Sequence, residues 1–202
     1  MYMRGKLMNK QGHLWITEKL LPQNMQPYKR WLLFGSILPD LLYHTYLSGH
    51  TWEAAFHKTI RGMKSLESFG GLNRISCLYL GYLLHYVEDF FTLPHNKAFS
   101  GKLMAHIVYE KKFSDFLEGG YEKAFLTEHM SSMSVEDLEE NLKKLHEDYE
   151  VGSSDFHKDT KYMKEALVQV LDYFAVVLFK NQKMLDAARL EAFKVSQQGF
   201  LN

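Results

Sequence analysis

The sequence predicts an all-α protein, on three observations. Apolar residues recur at helical spacing along almost the whole chain, strand-like alternation bounded by hairpin turns is absent, and helix caps and breakers punctuate the pattern at intervals of one helix. All four prolines (Pro22, Pro27, Pro39 and Pro94) fall in the first half and divide it into segments. With 202 residues, of which 46% are hydrophobic, the chain can bury a substantial core. It reads as one domain over 1–202.

The elements follow in order. A first helix is expected over His13–Leu21, stopped by Pro22. A second runs from Tyr28 to Leu38; it is hydrophobic nearly all round and so expected to be buried, with Pro39-Asp40 breaking it. Thr51 is a fitting N-cap for a third, which Gly70-Gly71 ends. Asn73 to Phe91 forms the central helix, with Cys77, Leu80, Leu84 and Val87 on its apolar side and Pro94 past its end. Lys102–Leu117 is next, closed by Gly119-Gly120. Ser134-x-x-Asp137 is a capping box opening a charged surface helix to about Tyr149. After a loop at Gly152-Ser-Ser, the last helix starts near Asp155 and continues to Phe179 or beyond. The default expectation for everything after Ser134 is a solvated helix hairpin.

Composition excludes several functional classes. Net charge is zero, which removes the electrostatic basis for a strong nucleic-acid surface but leaves a small phosphodiester open. A single Cys77 rules out an internal disulfide framework. No apolar run approaches the ~20 residues of a membrane span. The opening residues Met1 to Lys10 carry no apolar core of a signal peptide. A cytoplasmic chain, or one peripheral to a membrane, is therefore expected. No nucleotide-binding glycine motif and no adjacent His-Asp pair is present.

The chemistry concentrates between His85 and Glu110. His85 and Asp89 stand four residues apart, as do His106 and Glu110, with His95 between the pairs. Residues at i and i+4 share a helix face, so each pair can offer a nitrogen and a carboxylate to one point. These are ligand types that zinc accepts. Leu83, Leu84, Val87, Phe90 and Phe91 make the surroundings of His85 and Asp89 apolar. A carboxylate there is costly unless paired or metal-bound. A buried His–Asp hydrogen bond would satisfy that pair alone; the addition of His95, His106 and Glu110 favours a metal site between two helices. Of the ten histidines, His44, His129, His146 and His157 have no suggestive partner and are read as ordinary polar residues.

Upstream, Gly12-His13-Leu-Trp-Ile-Thr and Gly35-Ser-Ile-Leu-Pro-Asp40 add candidates. The whole series, from His13-Leu-Trp-Ile through Pro39-Asp40 and Leu80-Gly-Tyr-Leu-Leu-His85-x3-Asp89-x5-His95 to His106-x3-Glu110, resembles the zinc-dependent phospholipase C family, a relative of the P1-type nucleases. The likeness covers about residues 12–118. It implies an all-α bundle with two or three zinc ions in a cleft between helices. One zinc would be held by Asp40, His50, His85 and Asp89. Asp89 would bridge to another bound by His13. The remaining one would be held by His95, His106 and Glu110. His50 is preferred over His57 because it directly precedes a helix. In secreted members the processed N-terminus, a tryptophan, completes the third zinc, whereas Met1 stands at the start here.

The resemblance implies hydrolysis of a phosphodiester or phospholipid. Zinc lowers the pKa of a bound water toward ~7 and so supplies hydroxide near neutral pH. Asp40 is then a ligand and candidate proton acceptor. Tyr43, Tyr46 and Trp52 could meet a lipid, although core packing explains them as well. Two alternatives stand beside this: a P1-like nuclease or nucleotidase, and a helical protein that keeps its zinc without turnover.

Overall fold

The computed structural model describes residues 10–42, 49–68, 71–119 and 133–199. Among these, seven α-helices and two 3-10 turns form the architecture, with no strand. The helices are α1 (Lys10–Leu20), α2 (Lys29–Leu41), α3 (Trp52–Glu67), α4 (Arg74–Phe90), α5 (Leu103–Glu118), α6 (Val135–Glu150) and α7 (Phe156–Gly199). His44, His129, Tyr43, Tyr46, Gly70 and Gly120 lie outside the described residues.

Helix α4 is the axis. The Asn73 side chain accepts from the Ile75 and Ser76 amides, and Ser76 Oγ accepts from the Asn73 amide, so a capping box fixes the start. Cys77, Leu80, Leu84 and Val87 are fully buried, and so are Leu83 and Phe90 within a few per cent. Burial wraps round most of the helix because α1, α2, α3 and α7 pack about it.

The approach of α2 to α4 rests on two glycines. A Cβ on Gly35 would stand 2.1 Å from the Leu78 carbonyl oxygen, and one on Gly81 would stand 2.0 Å from that of Leu32. No side chain fits, so the two backbones meet directly. That contact sets Asp40, near the end of α2, against His85, one turn beyond Gly81 on α4.

Three expectations need correction. Helix α2 does not stop before Pro39 but runs through it to Leu41. The proline removes one hydrogen bond, only two helical residues follow it, and Pro39 itself is buried, so packing holds the last turn. Nor is α2 buried all round. Leu32, Gly35, Ser36 and Pro39 form one buried stripe, while Phe34 and Leu41 are 46% and 45% exposed. Finally, α6 and α7 are not a solvated hairpin. Leu138, Leu142, Leu145 and Tyr149 of α6 pack with Met163, Leu167, Val170 and Phe174 of α7 in the same core as α4. The charged residues of α6 had masked this 3–4 apolar spacing, and its capping box at Ser134 and Asp137 is present.

The second half also reaches toward the centre of the molecule. Asp159 of α7 is fully buried and accepts from the Leu93 amide (2.9 Å), Tyr109 Oη (2.5 Å), Tyr149 Oη (2.8 Å) and Ser154 Oγ. One carboxylate thus ties together α5, α6, α7 and the turn after α4. His146 is likewise a satisfied core histidine. It donates from Nε2 to Asn96 Oδ1 (2.7 Å), is stacked 3.7 Å from Trp52, and burial lowers its pKa to about 4. Trp52 packs on Phe56 and His146, which answers the lipid-contact alternative for that residue in favour of packing.

The Gly81→Ala variant should lose at least about 2 kcal/mol of stability, because the added methyl meets backbone that cannot yield as a side chain can. Chemical denaturation against wild type measures this. A change under a few tenths of a kcal/mol would contradict direct backbone contact.

Candidate metal centre

Six separate segments deliver the polar cluster. His13 comes from α1 and Asp40 from the last turn of α2. His50 precedes α3, just after Gly49, whose φ of +80° turns the chain in a way L side chains rarely adopt. Thr51 then caps α3 by accepting from the Ala54 amide. His85 and Asp89 lie one turn apart on α4. His95 ends a 3-10 turn (Leu93–His95) whose first amide is held by Asp159. His106 and Glu110 lie one turn apart on α5.

Three groups of ligand atoms come within 4.8 Å of one another: His13, Asp40 and His85; His50, His85 and Asp89; and His95, His106 and Glu110. All eight residues expected from the sequence stand in this cluster. His57 is exposed on α3 and takes no part in it. The five downstream residues come from α4, the turn after it and α5, as the spacing suggested, with His95 Nε2 3.6 Å from Asp89 and 3.3 Å from Glu110; α1, α2 and the segment before α3 add His13, Asp40 and His50.

Asp89 occupies the middle. Its Oδ2 lies 3.1 Å from His50 Nδ1 and 3.3 Å from His85 Nε2. Its Oδ1 lies 3.7 Å from His13 Nε2 and 3.6 Å from His95 Nε2. Each oxygen therefore faces a different set of histidines, as a bridging carboxylate must. Burial opposes the Asp89 charge, but His95 and His85 outweigh it and hold the carboxyl well below its usual range.

The donor set fits zinc on an observation independent of residue type. Asp40 is a carboxylate with a side chain only 3% exposed, and neither of its oxygens accepts a hydrogen bond. It stands 3.6 Å from His85 Nε2 and 4.0 Å from His13 Nε2. Tetrahedral ligands at about 2.0–2.1 Å from a zinc ion are about 3.3 Å apart. The spacing about Asp40 is close to this and longer than a hydrogen bond, and His50 and His85 stand at similar distances from Asp89, 3.1 and 3.3 Å. A buried acid without donors is costly unless a cation meets it.

Supporting contacts orient the imidazoles. His85 Nδ1 donates to the Ser36 carbonyl (2.9 Å), which leaves the Nε2 lone pair facing Asp40, Asp89 and His50. Glu88 does the same for His13. Its carboxylate accepts from His13 Nδ1–H and from Thr17 Oγ1 (2.7 Å), turning His13 Nε2 inward. Glu88 is 1% exposed and was not among the residues expected from the sequence. The signal was available: it is a second carboxylate in the same apolar helix, and the cost argument applied to Asp89 applies equally to it.

Without metal, neighbouring carboxylates favour the protonated form of three of these histidines. Burial disfavours a charge on His13, but Glu88 overrides it and raises the pKa to about 10. His50 is raised by Asp89 and His106 by Glu110, in both cases against burial. Glu110 is lowered by His106 and His95, again against burial. The centre opens toward solvent at His13, His106 and Glu110, whose side chains are 16–19% exposed, against 0–5% for the other five. A cavity of about 40 Å³ adjoins His13, Asp89 and Glu110 and is backed by Ile16, Phe113 and Met163.

Residues 12–156 match the family model described as zinc dependent phospholipase C. The chain belongs to that family. The match begins one residue before His13, includes every residue of the cluster, and extends beyond the likeness legible in the sequence to take in α6 and the first residue of α7. Comparison with curated proteins and with solved structures returned no match. Membership implies a zinc-dependent hydrolase of phospholipase type on an all-α bundle. Among the described residues, no helix of this phospholipase C family member is long and apolar enough to cross a membrane.

Two outcomes are expected. In Asp89→Asn the bound zinc per chain should fall by at least one, measured by elemental analysis after dialysis. Glu88→Gln, which keeps all eight candidate ligands, should instead lower zinc affinity about 10–100-fold. Unchanged loading in Asp89→Asn would remove Asp89 from the centre. Second, zinc uptake at pH 7 should release protons. His13, His50 and His106 have raised pKa values, so the metal-free protein holds protons that the metal must displace. Affinity should therefore rise as pH rises through neutrality. Calorimetric titration in buffers of differing ionisation enthalpy counts the protons, and a count of zero would contradict this.

Proposed function

We propose that this protein is a zinc-dependent phosphodiesterase of phospholipase C type, acting through a water activated at the cluster around Asp89. The observation that carries this reading is Asp89 itself, a buried carboxylate whose two oxygens face different histidine sets and which can therefore hold two cations side by side. Bound zinc supplies hydroxide near neutral pH and offsets negative charge on phosphate oxygens.

The chain's own groups divide the remaining work. His50, His85 and Asp40 make the more buried pole, and His95, His106 and Glu110 the more open one. A diester approaching from the exposed edge meets His106 and Glu110 first. Asp40 has two oxygens free of hydrogen-bond donors and is placed to accept a proton from the attacking water as well as to act as a ligand. Glu88 and Ser36 hold the rings of His13 and His85 so that neither can rotate its lone pair away. Two ions with full ligand sets, one at each pole, accord with the groups; His13 and Asp89 provide the start of a third.

The test is a substrate panel on zinc-loaded protein. Release of nitrophenol from p-nitrophenyl phosphorylcholine and of phosphocholine from short-chain phosphatidylcholine is expected. Asp40→Asn should reduce kcat by at least about 100-fold if the carboxylate moves a proton. A preference for single-stranded DNA or 3′-nucleotides would replace the lipase reading with a nuclease. Full zinc loading without turnover of any diester would leave a zinc-binding protein and sink the proposal.

A further inference from the structure

Helix α5 is anchored in its second half, whereas its candidate ligands lie in its first. Its buried residues are Phe113, Ser114 and Leu117. Positions 103–110, which include His106 and Glu110, contain no buried side chain. Apolar burial therefore does little to fix where these two ligands stand. Yet the three groups of this pole converge closely. His95 Nε2 comes within 3.3 Å and His106 Nε2 within 2.6 Å of Glu110 Oε1.

Tyr109 supplies the hold that burial does not. Its hydroxyl donates to Asp159 Oδ2 at 2.5 Å, and its ring meets that of Phe156 edge-on, with centroids 5.0 Å apart. Both partners belong to the first turn of α7. The same oxygen of Asp159 accepts from the Leu93 amide at 2.9 Å. Leu93 opens the 3-10 turn that ends in His95, so its amide has no partner within that turn. One buried oxygen is thus shared by the turn that carries His95 and the helix that carries His106 and Glu110. The other oxygen accepts from Tyr149 and Ser154, so rotating the carboxylate would break bonds on both sides. The opposite pole has no such dependence. Asp40, His50 and His85 come from α2, the segment before α3 and α4, and are set by the Gly35–Gly81 contact and the Ser36 carbonyl.

We infer that Asp159 is a positioning residue for the His95, His106 and Glu110 group, and that a zinc ion at that pole requires it while one at the other pole does not. Its four donors include none of the three ligands. It acts through Leu93 and Tyr109, which stand two positions from His95 and one from Glu110. The family match over residues 12–156 does not reach Asp159. The inference rests on the zinc reading above.

Zinc counted per chain by elemental analysis after dialysis, with affinities from calorimetric titration, tests this. Asp159→Ala should bind one zinc fewer than wild type and fill its remaining sites with unchanged affinity. In a His106→Ala background the same change should remove no further zinc, since both act on one pole. Asp159→Asn should keep the wild-type count. Its amide oxygen can accept from Leu93 and Tyr109, and its amide nitrogen can donate to the Tyr149 and Ser154 hydroxyls, which accept as well as donate. Leu142→Ala removes core packing from α6 at a residue that makes none of these hydrogen bonds; it should be less stable but fully loaded. If Asp159→Ala does not fold, Tyr109→Phe carries the test, with zinc affinity at one site expected to be about tenfold weaker. Full loading in Asp159→Ala, or the same loss in Leu142→Ala or Asp159→Asn, would overturn the inference, as would unchanged affinity in Tyr109→Phe. Wild type that binds no zinc would overturn it together with the reading on which it rests. Zinc-loaded wild type that turns over no diester would remove the reaction and leave Asp159 in its role.

Discussion

The structure is organised around the cost of burying charge. Asp40, Glu88, Asp89 and Asp159 are carboxylates in the interior, and each one constrains what surrounds it. Asp159 meets the cost with four donors. Glu88 meets it with His13 and Thr17. Asp89 draws in four imidazoles. Asp40 alone is left without a donor, and this leaves a place for a cation. Four acids on three helices thus link α1, α2, α5, α6 and α7 to α4, because buried carboxylates need partners.

The apolar packing is shaped to permit that cluster. Gly35 and Gly81 let the backbones of α2 and α4 meet directly, so Asp40 and His85 can share one small volume. At the other end of α4, Asp159 holds the Leu93 amide and Asn96 donates to the Phe90 and Thr92 carbonyls. These bonds pin the turn that presents His95. Helices α6 and α7 hold the centre by way of this turn, and none of their described residues stands in the cluster. Within the matched residues 12–156, His146 of α6 reaches the same turn through Asn96 Oδ1.

Much was legible beforehand because it is local. Thr51 and Ser134 are caps whose side chains act on amides three residues away, and each sits where the pattern puts it; Asn73, expected as the first residue of the central helix, is its cap. The spacing of His85 with Asp89, and of His106 with Glu110, is one helical turn and needs no tertiary information. The misreadings were equally physical. Pro39 was taken for a stop, yet packing outweighed one lost hydrogen bond. The charges of α6 concealed a buried stripe. Glu88 was passed over because its partner lies 75 residues away, on another helix.

By itself the sequence determined the all-α class, the caps, the paired spacings and the family likeness, all of which depend on residues within a turn or two of each other. Only the tertiary structure decided which ligands face which oxygen of Asp89 and that Asp40 is buried without a donor. Those depend on how far apart two helices stand and how each is rotated about its axis. Here a pair of glycines and one buried aspartate set these quantities, across separations of 46 and 66 residues.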